Sequence, residues 1–157
     1  MNTLVLGLGN PLLSDDGIGL VLLEALREAG RWDDGLEFVD GGTWGMSLLP
    51  AIQDCDRVLV LDAVRAGYEP GTVVRGSGPD IPRLYSYPLS PHQIDLREVL
   101  AAAELLGAVP SALEVVGVEP ESTDGPCLEL SEPVAAAVPK AADEARRILS
   151  AWGHTCV

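Results

Sequence analysis

Residues 57–64, RVLVLDAV, restrict the possible folds more than any other stretch of the chain. A strand with one face in water alternates apolar and polar side chains. A nearly continuous apolar run is expected of a strand covered on both faces, as at the centre of a parallel sheet. The preceding chain agrees. Residues 3–8 are a short apolar run punctuated by Gly7 and Gly9. From Ser14 the period changes: Ile18, Val21, Leu22, Ala25 and Leu26 recur at the spacing of an amphipathic helix, with Ser14 the expected N-cap and Gly30 the expected stop. Residues 36–40 read as a second strand, followed by Gly41, Gly42 and a short helix carrying Leu48, Leu49 and Ile52.

Beyond residue 64, about seven residues lead to a candidate strand at 72–75, too few for a parallel crossover of about a dozen, so this pair is expected to be antiparallel neighbours. The proline-rich stretch 76–91 reads as a long loop with an edge strand at 84–87. A helix is expected over 92–106, with Leu96, Val99, Leu100 and Ala103 on one face. Residues 113–118 form another buried strand, 119–130 a polar loop, and 132–152 a last helix with Val134, Val138, Ala141, Ala145, Ile148 and Leu149 inward. Strands and helices alternate almost throughout. That pattern predicts one domain over residues 1–157, an α/β three-layer sandwich whose mostly parallel sheet carries helices on both faces.

Charge narrows the partners. The formal net charge is −14, from 24 acidic and 10 basic residues. Nucleic-acid binding needs several Lys or Arg side chains against phosphates, so no nucleic acid is expected. Cys55, Cys127 and Cys156 are odd in number, widely spaced and without a C-x-x-C pair, which argues for reduced thiols and against a disulfide framework or structural zinc. Two are expected in packed positions and one in the tail. No positive n-region opens the chain and no apolar run approaches a membrane span, so neither signal peptide nor membrane contact is expected and the cytoplasm is the default.

Gly7-Leu8-Gly9-Asn10-Pro11 has a glycine-rich opening but lacks the third glycine of a dinucleotide fingerprint, since position 12 is Leu. A tight turn where glycine lets the backbone pass close to a neighbour is the simpler use. Asp15 and Asp16 stand at a helix start, where the helix dipole alone would favour them. Asp62 ends an apolar strand at the carboxyl edge of the sheet, where open α/β proteins place their ligand crevice; capping of a following turn is its other use. His92 opens a helix in Ser90-Pro91-His92-Gln93, and His154 reads as an exposed tail residue. If their strands are adjacent, Asp16, Asp62 and His92 converge. One imidazole and two carboxylates suit a borderline divalent ion such as nickel, zinc or iron(II), with coordination positions left open.

GLGNPLLSDDGIG at 7–19, Asp40-Gly41-Gly42-Thr43 with Gly45-Met46, the strand ending VLDAV, Ser90-Pro91-His92-Gln93, and Val116-Gly117-Val118-Glu119-Pro120-Glu121-Ser122 occur in this order. As a set they resemble the nickel-iron hydrogenase maturation endopeptidases, from Thr3 to Ser122, with a matching C-terminal helix. The resemblance implies a twisted sheet of about five strands between helices. It implies an aspartyl-type endopeptidase that removes a C-terminal extension from the [NiFe] hydrogenase large-subunit precursor after nickel insertion. The family's metal-recognition positions fall on Asp16, Asp62 and His92, where recognition and cleavage are not separable by sequence. The nickel is supplied by the substrate, with zinc or cadmium able to occupy the same site. Asp16 replaces the Glu of some members, and its shorter reach alters the geometry. The loops 65–91 and 119–130 are expected to carry partner recognition.

Three rivals stand beside this reading. Peptidyl-tRNA hydrolase also runs a strand into GLGNP, but its further glycine and its early histidine are missing, because no His precedes His92. A metallochaperone could use the same ligands without cutting. A self-contained zinc hydrolase would hold its own metal. Ordinary nucleophile chemistry lacks support, because the chain has no G-x-S-x-G elbow.

Overall fold

The computed structural model describes residues 1–42, 45–85 and 96–157. Five strands form one sheet in the order β2-β1-β3-β5-β4. They are β1 (Thr3–Leu8), β2 (Leu36–Gly42), β3 (Arg57–Ala63), β4 (Val73–Ser77) and β5 (Ala112–Val118). The first three and β5 run parallel, and β4 is antiparallel at the edge. The expected α/β architecture is present.

Side-chain alternation divides the core in two. Leu59 and Leu61 of β3, with Val5 of β1 and Val116 of β5, face α1 (Ile18–Glu28) and α5 (Glu132–Ala151). Val58 and Val60, with Leu4 and Leu6, face the opposite layer of α2 (Leu49–Gln53), α3 (Ile81–Leu84) and α4 (Leu96–Leu105). Successive strand residues point to opposite faces, so continuous apolar runs in β1 and β3 supply both layers at once. Asp62 shares the parity of Val58 and Val60 and so belongs to the α2–α4 side.

The expected neighbour of β3 is corrected. β4 runs antiparallel to β3 but does not pair with it, because β5 lies between them. Val64 N–H donates to Val118 O at 3.1 Å and Gly71 N–H to Glu119 O at 2.8 Å, so the short connection bridges the end of β5. Crossing one strand means spanning about 10 Å, within reach of seven residues.

The edge strand expected at 84–87 is corrected over Leu84 and Tyr85, the part of it that the structure describes. Ile81–Leu84 is helical, preceded by a capping box in which Asp80 accepts the Ser77 N–H at 2.9 Å. That local exchange of hydrogen bonds starts a helix where proline content suggested a loop. Residues 86–95 of that stretch lie outside the described residues, and the helix expected from 92 is described from Leu96.

Ser14 is not the N-cap of α1. The helix begins at Ile18 behind Gly17, and a 3-10 turn, Ser14–Gly17, precedes it. Ser14 adopts φ of 52° and its hydroxyl donates to Glu129 O at 2.8 Å, a contact from beyond β5 that outcompetes local capping.

Candidate active site

The strand order creates the crevice. From β1 the chain crosses to β2 on one side and returns to β3 on the other, so the order reverses between β1 and β3. At such a switch point the connections diverge and leave an opening beyond the carboxyl ends of the strands. Gly7 pairs with Leu61 across these two strands. Asp62 is therefore level with Leu8, immediately before the turn that leads to Asp16.

Asp16 is set by a close approach of backbone to backbone. Gly9 has φ of 122°, and a Cβ there would lie 1.9 Å from Asp16 O. The first glycine loop is thus a tight turn that admits the 3-10 turn rather than a phosphate cradle. The Asn10 N–H donates to Asp16 Oδ2 at 2.8 Å. Burial pushes the Asp16 carboxyl above its ordinary value, opposed by that N–H and by the positive charge of Arg65. Asp16 is therefore a buried carboxylate whose negative charge is incompletely compensated.

Asp62 is half-buried. Its Oδ1 accepts its neighbour's Ala63 N–H at 2.8 Å and its Oδ2 accepts the Tyr85 hydroxyl at 3.0 Å. Tyr85 is buried behind α3, so it holds the carboxylate from the α2–α4 face. Asp16, on the 3-10 turn after β1, and Asp62, near the end of β3, thus both lie at the carboxyl edge of adjacent strands. His92 lies outside the described residues. Among the described residues no group of three or more His, Cys, Asp or Glu is placed to hold a metal ion.

Asp15, Glu119 and Tyr85, none of them a predicted site residue, also shape the surroundings. Asp15 is fully buried and accepts four hydrogen bonds, from the N–H groups of Glu121, Ser122 and Ser131 and from the Ser131 hydroxyl. Burial pushes its pKa up, but these bonds prevail and lower it. It is a structural anchor, where sequence suggested a dipole partner. Glu119, also buried, accepts the N–H groups of Ala66 and Gly67. Its position directly after β5, at the same carboxyl edge as Asp62, was the available signal. Nothing local marked Tyr85.

His154 corrects another expectation. Its side chain is only 8% exposed, with Nδ1 2.9 Å from Asp33 Oδ1 and Nε2 2.8 Å from Thr3 Oγ1. Thr3 opens β1, so His154 fastens the chain end at the amino edge of the sheet, away from the crevice. The three cysteines are free, with Cys55 partly buried and both Cys127 and Cys156 exposed, so one is packed rather than two.

A family model of the hydrogenase maturation proteases matches residues 20–148. The chain belongs to the hydrogenase maturation protease family. This protease is 37% identical over 154 residues to the hydrogenase expression/formation protein HupD of Rhizobium leguminosarum bv. viciae, covering 96% of this chain and 75% of that protein. It is 38% identical over 145 residues to the hydrogenase 2 maturation protease of Escherichia coli K12, covering 92% and 88%. Among solved structures, the hydrogenase maturating endopeptidase HybD from E. coli superposes with a TM-score of 0.92 at 36% identity, covering 100% of this chain and 97% of that one. The [NiFe] hydrogenase maturation protease HybD from Thermococcus kodakarensis does so at 0.69 and 28%, covering 94% and 99%. The maturation protease is thus a peptide hydrolase, which decides against both the non-cutting chaperone and the tRNA hydrolase.

Proposed function

We propose that this maturation protease removes the C-terminal extension of a nickel-loaded [NiFe] hydrogenase large-subunit precursor, and that Asp16, Asp62 and His92 receive the nickel carried by that substrate. What supports the reading is that Asp62 lies at the carboxyl end of β3, level with Leu8 of β1, and that the turn following β1 carries Asp16. Burial disfavours the charged form of the Asp16 carboxyl, and an incoming divalent ion would offset that cost. His92 enters through its place in the sequence motif. Two oxygens and one imidazole nitrogen leave coordination positions on the ion for groups of the precursor itself. Zinc or cadmium would suit the same donors.

Seating the ion brings the scissile peptide to the crevice. Held by Asp16, Asp62 and His92, the ion would draw electron density from a carbonyl or water oxygen beside it. A carboxylate of the pair accepts the proton of the attacking water, which makes the reaction aspartyl-type general base hydrolysis. The free cysteines are consistent with a reducing compartment such as the cytoplasm. Among the described residues no helix is long and apolar enough to cross a membrane.

Mass spectrometry of the large subunit after mixing tests the reading. Nickel-loaded precursor should be shortened by the wild type and left intact by His92→Ala and Asp62→Asn variants that retain their fold. Equal cleavage of nickel-loaded and nickel-free precursor would end the proposal of metal recognition.

A further inference from the structure

Arg65 is a cation just beyond the carboxyl end of β3, the edge where Asp62 lies, in a chain with 24 acidic and 10 basic residues. It follows Asp62 by three positions, and its backbone is pinned on both sides. Val64 N–H donates to Val118 O at 3.1 Å, and the N–H groups of Ala66 and Gly67 donate to the two carboxylate oxygens of buried Glu119 at 3.1 and 2.8 Å. The guanidinium donates to the Thr123 hydroxyl oxygen. Both Glu119 and Thr123 belong to the segment that follows β5, so one loop holds this arginine by main chain and side chain together. Its charge also acts on Asp16 across the crevice. A guanidinium carries five N–H donors, and the bond to Thr123 uses one of them.

We propose that Arg65 binds the carbonyl oxygen of the scissile peptide and holds the negative charge that develops there during hydrolysis. The assignment rests on Asp16 and Asp62 forming the site. Water adds to the carbonyl carbon, the carbonyl π pair moves to oxygen, and the water's proton passes to a carboxylate of the site. When the oxyanion collapses, the carbon–nitrogen bond breaks and that proton goes to the leaving nitrogen, so peptide and water become acid and amine. The two carboxylates repel the oxyanion to the extent that the substrate's ion does not offset their charge. A cation fixed in advance offsets that repulsion without reorganising at the moment of reaction. A guanidinium offers donors and no acceptor, so the role of Arg65 is electrostatic.

The bland alternative is a tether joining the loops after β3 and β5. The test measures cleavage of nickel-loaded precursor by Arg65→Ala, Arg65→Lys and Thr123→Val, with thermal melts as a check on folding. Arg65→Ala should lower kcat about 100-fold with KM nearly unchanged, the size seen when one oxyanion donor is lost. Guanidinium chloride at millimolar concentration should restore at least about a tenth of that loss. Arg65→Lys should be intermediate, and Thr123→Val, which keeps the cation, should lose far less. An unaltered kcat in Arg65→Ala overturns the assignment. So does an unrescued loss that Thr123→Val reproduces. Wild-type cleavage is the control: its absence would remove the site reading itself, whereas its presence leaves Arg65 alone at stake.

Discussion

Asp15 Oδ2 accepts the Ser131 hydroxyl at 2.7 Å across 116 positions of chain. Ser131 is the N-cap of α5, yet its hydroxyl serves this carboxylate rather than its own helix. Its N–H donates to Asp15 Oδ1, also at 2.7 Å. One buried carboxylate therefore fastens the segment between β5 and α5 to the turn that presents Asp16.

Asp15→Asn should destabilise the protein by about 2–3 kcal/mol, because the new amide NH2 faces N–H donors and leaves a buried group unsatisfied. Urea unfolding at neutral pH measures it. The folded carboxyl is held below its ordinary value, so the native state binds its proton less readily than the unfolded chain does. Its stabilising contribution is complete above the unfolded carboxylate pKa of about 4 and is lost as pH falls through the folded value. The gap in stability between wild type and Asp15→Asn should narrow as pH drops below about 4; a constant gap would contradict this account.

Gly9→Ala should cost more than the fold's ordinary tolerance for an added methyl. The position has φ of 122° and the new Cβ would meet Asp16 O at 1.9 Å, so the turn carrying Asp16 must move. Loss of about 3 kcal/mol or more is expected, from backbone strain added to steric overlap. Precursor cleavage should fall at least tenfold even at temperatures where the variant remains folded.

Tyr85→Phe removes one donor from Asp62 with little change of shape. About 1 kcal/mol of stability should be lost. A cleavage rate lowered severalfold is expected, since Asp62 keeps its bond to the Ala63 N–H but loses its restraint from the α2–α4 face. An unchanged rate with the same stability loss would mean that the hydroxyl is structural alone.

His154→Ala separates stability from activity. It leaves the buried Thr3 hydroxyl without its partner, and a loss of about 1–2 kcal/mol is expected. Cleavage at permissive temperature should be unchanged, because the contact lies at the amino edge of the sheet. A specific fall in kcat would show that the two edges are coupled.

The legible parts of the fold were those whose burial is written in local period. β1 and β3 agree with the expected strands within a residue, and the inward face of α5 includes Val134, Ala141, Ala145, Ile148 and Leu149 as expected. The antiparallel direction of β4 was legible too, since a short connection cannot cross over to a parallel strand. Its neighbour was not, because β5 arrives later in the chain and competes for the same edge. Ser14 has the composition of a cap, but Glu129 O takes its hydroxyl. His154 resembled a tail residue because its partners, Asp33 and Thr3, are more than a hundred positions away.

Amino-acid order by itself determined the α/β class, the covered central strands and the candidacy of Asp16, Asp62 and His92, since apolar period and motif spacing are local properties of the chain. Tertiary structure alone decided that β1 and β3 adjoin at the switch point, that Tyr85 reaches Asp62, and that Arg65 is held by the segment after β5. Those relations depend on hydrogen bonds and packing between distant segments. Such pairings are selected by competition among all the segments at once, so no window of sequence contains them.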